Sequence, residues 1–134
     1  MRITAALLAE RAEARENGLY VEGGVFPEMT EDVDAGQLVV WLVVLVERGA
    51  PSDARTFTVE VVSLEKPIAD AIEEPLPVFE VADKALDAKI GYSVHELRLS
   101  RSDIPSLGWD AFVVTDPHGD RFTLPFKVAA LPAA

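Results

Sequence analysis

The nine residues from Leu38 to Val46 form the longest apolar run in the chain, with Trp41 near the middle and five valines among them. A helix needs about 20 such residues to cross a bilayer, so the run is not a membrane span. A short, β-branched apolar run, bounded by Gly36 on one side and by Glu47, Arg48 and Gly49 on the other, reads as a strand buried on both faces. A strand of that kind belongs at the centre of a sheet. At an edge it would be an aggregation hazard, and the charges that follow it act as gatekeepers.

A central strand requires neighbours, and the rest of the chain supplies them. Phe122, Leu124, Phe126 and Val128 alternate with Arg121, Thr123, Pro125 and Lys127, which sends one set into a core and the other to solvent. Pro125 lacks a ladder donor, so the last strand is expected to be an edge or to carry a bulge there. Phe57, Val59 and Val61 alternate with Thr58 and Glu60 in the same way. Between Trp109–Thr115 and Asp120–Val128 stands Asp116-Pro117-His118-Gly119, in which Asp opens a type I turn, Pro presets φ and Gly takes the left-handed position. With Ile3–Ala9, Leu19–Phe26, Leu76–Ala82 and Ile90–Leu99 the pattern predicts about eight strands.

Helix is expected only in short pieces. Glu10 to Glu16 is rich in helix formers but offers only alanines to a core, so a helical turn is expected there, ending at Asn17-Gly18. Pro67, with Ile68, Ala71 and Ile72 on one face, predicts a short crossover helix. The expected fold is therefore an all-β, immunoglobulin-like β-sandwich of mostly antiparallel strands, one domain over residues 1–134. Its core should hold Trp41, Phe57, Val59, Val61, Leu97, Phe122, Leu124 and Phe126.

Charge and cysteine content narrow the function. Twelve Lys and Arg against 23 Asp and Glu give a net charge of -11, spread along the chain, which repels phosphate backbones and anionic membranes. The absence of cysteine removes disulfides, thiolate metal sites and cysteine nucleophiles. Only seven uncharged residues, Ile3 to Ala9, separate Arg2 from Glu10, a poor signal-peptide core, so a cytoplasmic protein is expected.

The reactive groups do not assemble into a recognisable catalytic pattern. Gly91-Tyr92-Ser93-Val94-His95 lacks the second Gly of a nucleophile elbow and falls inside a strand, where Ser93 and His95 share a face with Leu97 and Leu99. A hydrogen-bonded, partly buried histidine is expected, with Glu96 and Arg98 as an ion pair on the opposite face. Asp116, His118 and Asp120 are expected to serve the turn. Glu22, Glu28, Glu31, Asp32 and Asp34 are expected to be solvated, and match no calcium-loop pattern. Gly23-Gly24 precedes no helix that could hold a phosphate, and marks a bulge or a close backbone approach.

The run from Ala5 to Gly24, the apolar Leu38–Val46 strand, the segment Phe57 to Val62 and the closing Pro125 to Val128 resemble a family of small, functionally uncharacterised bacterial proteins, mainly actinobacterial. The resemblance implies a single β-sandwich and brings no catalytic residues. The chain departs from the pattern at Lys66 to Pro75. The expected function is a non-enzymatic binding or assembly module that engages a protein partner or a second copy of itself, without catalytic, cofactor or metal residues. The alternative is a small-ligand or calcium-binding sandwich using the acidic stretch 28–34, from Glu28 to Asp34.

Overall fold

The computed structural model describes residues 1–15, 18–24, 28–30, 37–49, 54–64, 77–81, 90–100 and 109–129. Within them the chain is all-β: β1 Arg2–Arg15, β2 Gly18–Gly24, β3 Glu28–Thr30, β4 Gln37–Glu47, β5 Thr56–Ser63, β6 Val78–Glu80, β7 Ile90–Ser100, β8 Trp109–Thr115 and β9 Arg121–Ala129. They form two sheets, one in the order β2-β1-β4-β7 and one in the order β3-β9-β8-β5-β6. Every pair is antiparallel except β3 with β9. No helix among the described residues is long and apolar enough to cross a membrane.

The apolar run does become an inner strand. β4 is paired with β1 from Glu47 to Trp41 and with β7 along its whole length. Val40, Leu42, Val44 and Val46 enter the core between the sheets, where they meet Phe57, Val59, Phe112, Val114 and Phe126 from the opposite layer. Val43, only 1% exposed, faces the other way, into a second cluster with Ala9 and Ala12. Trp41 is corrected here: it is partly buried in this second cluster, not in the main core, because at an odd position it lies on the face opposite Val40 and Leu42. The other expected core residues do lie in or against the main core, with Val61, Phe122 and Leu124 at its margin.

The expected helical turn from Glu10 is overturned: β1 continues as one strand to Arg15. Two successive partners explain the result. Arg2 to Ala9 pairs with β4, and Ala9 to Arg15 pairs with β2, with Ala12 opposite Val21 and Ala14 opposite Leu19. Ladder bonds and the burial of Ala12 override the helix propensity of an Ala- and Glu-rich segment.

Two smaller differences follow. β3 falls in the acidic stretch, where no strand is expected from sequence, and brings the strands among the described residues to nine, where about eight are anticipated. Of the strand expected at Leu76–Ala82, Val78–Glu80 is strand and Pro77 and Val81 are not, while Leu76 and Ala82 lie outside the described residues. Pro125, opposite Ala111, lies beyond the three β9 residues that β3 covers, so among the described residues β9 is an edge at that point, in keeping with the missing donor. The crossover helix at Pro67 to Ile72 lies outside the described residues.

Candidate functional site

The strand β7 brings together the residues with the most chemistry. Ser93 Oγ and His95 Nε2 are 2.6 Å apart, with the hydroxyl donating when the ring proton sits on Nδ1. His95 turns inward, as its parity with Leu97 predicts, and meets two phenyl rings edge-on: Phe57 at 5.0 Å and Phe79 at 5.5 Å between centroids. These two phenyls stack on one another at 5.4 Å. Burial in this aromatic setting holds the His95 imidazole below its ordinary pKa of 6.5, since a cation loses hydration there.

A serine and a neutral imidazole in hydrogen-bond contact are two members of a hydrolytic triad. The third member is replaced by rings: the neighbours described around His95 are phenyls, which neither orient a tautomer by accepting a proton nor stabilise an imidazolium as a carboxylate does. Glu96, the nearest carboxylate along the strand, is on the opposite face and pairs with Arg98 Nε. The arrangement secures a polar side chain inside an aromatic margin of the sandwich.

Asp116 is committed to architecture. Its Oδ1 accepts the backbone N–H groups of His118 and Asp120, both at 2.9 Å, and its Oδ2 accepts that of Ile3 at 3.2 Å. Gly119 N–H donates to the Asp116 carbonyl at 3.0 Å, with Gly119 at φ +87°, so the turn forms as the sequence predicts. What the sequence reading missed is the reach to Ile3. No local pattern signals a bond to a residue so distant. Asp120 instead lies 3.7 Å from Arg2. His118 borders an open pocket of about 180 Å³ lined also by Met1, Arg2, Glu47, Arg48 and Gly49.

Among the described residues no group of three metal-ligating side chains gathers. Of the acidic stretch, Glu28 begins β3, while Glu31, Asp32 and Asp34 lie outside the described residues. Gly23 does mark a close approach. It has φ +63°, and a Cβ there would stand 2.8 Å from the Glu10 side chain on the neighbouring strand.

The remaining candidate is an edge. The two sheets end on β2, β7, β3 and β6, and three of these strands are short, with seven residues in β2 and three each in β3 and β6. β7 has eleven residues, each in register with β4, and among the described residues no strand pairs with its other side. Next to it lies the second apolar cluster, in which Val94 of β7 joins Trp41, Val43 and Leu7 on the sheet's outward face. Comparisons with protein-family models, curated proteins and solved structures return no match to this chain, and none of them supports the family resemblance.

Proposed function

We propose that this chain is a non-enzymatic binding or assembly module that receives a protein partner, or a second copy of itself, along the edge strand β7. The observation that carries the reading is the length of that edge. Proteins normally keep edge strands short, interrupt them with proline or bulges, or cover them, because unpaired N–H and C=O groups template a further strand. β7 contains no proline and runs in unbroken register with β4. An added strand would gain main-chain hydrogen bonds and would extend the apolar outward face beside Val94.

The same reading takes the sandwich as immunoglobulin-like. Support comes from β4 lying beside β7 in one sheet, and from β9-β8-β5 in the other, which match the B–E and G–F–C neighbours of that fold. A cytoplasmic setting is part of the proposal, supported by the lack of cysteine.

The experiment is capture from the source cell on immobilised protein, together with sedimentation analysis of the purified chain. A dimer or one specifically retained protein is expected. A strict monomer that retains nothing would overturn the reading.

A further inference from the structure

Three observations on β7 narrow the occupant. Val94 belongs to the outward cluster, and Leu97 and Leu99 belong to the core, so Glu96 and Arg98 share the outward face with Val94. Both charged residues are exposed. They carry opposite signs two positions apart, so across an antiparallel pair of β7 edges each can stand opposite its counter-charge.

We infer that the partner is a second copy of this chain, its β7 antiparallel to the first about a two-fold axis that passes perpendicular to the sheet at Leu97. The inference rests on the edge-binding reading above, and adds the occupant and the register. A two-fold of this kind keeps both outward faces on one side, so it sets only residues of like parity opposite one another. Centred on Glu96, it would place that carboxylate against its own copy. Centred on Arg98, it would do the same with two guanidiniums, and like charges directly opposite destabilise a ladder. Centred on His95, it leaves Glu96 opposite Val94 and Arg98 opposite Tyr92. Only the Leu97 axis, among those within this charged segment, places Glu96 opposite Arg98, and it does so twice. Within one chain the two side chains already meet in an exposed pair, which contributes little and exchanges partners at little cost. The product joins two four-stranded sheets into one continuous sheet.

The test uses the full chain and two variants, Glu96→Arg and Arg98→Glu. The wild type sediments as a dimer. Each variant alone sets like charges opposite at both contacts, and its dimer weakens about ten-fold or more. Mixed one to one, the two variants again set a guanidinium opposite a carboxylate at both contacts, and native mass spectrometry detects the mixed dimer in preference to either parent. A second measurement exploits the absence of cysteine: Glu96→Cys mixed with Arg98→Cys gives the mixed disulfide over either homodimer, since directly opposed Cβ atoms fall within or close to bonding range. Variants that dimerise as the wild type does, or a mixture that recovers nothing, overturn the register. A monomeric wild type that captures another protein overturns the second copy and leaves the edge-binding reading standing; a monomer that captures nothing removes both.

Discussion

Asp116 accepts three backbone hydrogen bonds through two oxygens while only 5% exposed, and it joins elements that the chain separates widely. Its Oδ1 organises the β8–β9 turn, and its Oδ2 holds the start of β1 in the other sheet. Replacing it by alanine leaves those donors without their acceptor, at a cost of about 3 kcal/mol. Asp116→Ala should therefore lower Tm by about 10 °C in a thermal melt. Asp116→Asn should fall between, since the amide keeps one acceptor oxygen and turns a donor toward the other site. An alanine variant that melts with the wild type would show that these bonds are dispensable.

At the scale of elements, β1 and β2 show where local sequence misleads. The alanines and glutamates after Ala9 favour helix, and only the partner strand makes them extended. Two glycines of this ladder take positive φ, Gly18 at +140° and Gly23 at +63°, and of the two only Gly23 would also bring an added Cβ against a neighbour. Gly23→Ala should cost about 1 kcal/mol for the left-handed conformation, read as a lower urea midpoint. The 2.8 Å approach of Glu10 adds less, because an exposed side chain can swing aside. The double variant Glu10→Ala/Gly23→Ala should therefore recover little, and full recovery would mean that the clash dominates. The strands legible in advance were those whose own pattern decides: Phe57 to Val61 by alternation, Trp109–Thr115 by the turn that ends it, and Leu38 to Val46 by its unbroken apolar content. β3 was hidden because three polar-flanked residues carry no periodicity, and Trp41 was misplaced because a strand buried on both faces does not announce which face is the main core. The Ser93–His95 contact followed from parity; the aromatic setting did not, since Phe79 comes from a strand with no sequence link to β7.

For the molecule as a whole, His95 couples acidity to the closure of the two sheets. Its pKa is lowered in the fold by loss of hydration, so the folded chain binds this proton more weakly than the unfolded chain, which titrates at 6.5. Stability from this group is intact above that pH, and is lost as the pH falls from there toward the lowered value. Urea midpoints measured from pH 8 downward should decline through this window more steeply for the wild type than for His95→Phe, which can pack against Phe57 and Phe79 without a charge. Parallel declines would assign the acid sensitivity to other groups.

The bond from Ile3 to Asp116 spans 113 positions. During synthesis the first strand leaves the ribosome long before its anchor exists, and the greasy stretch around Trp41 emerges in between. Final locking must wait for the β8–β9 turn, so the nascent chain passes through an interval of vulnerability that chaperones are suited to cover.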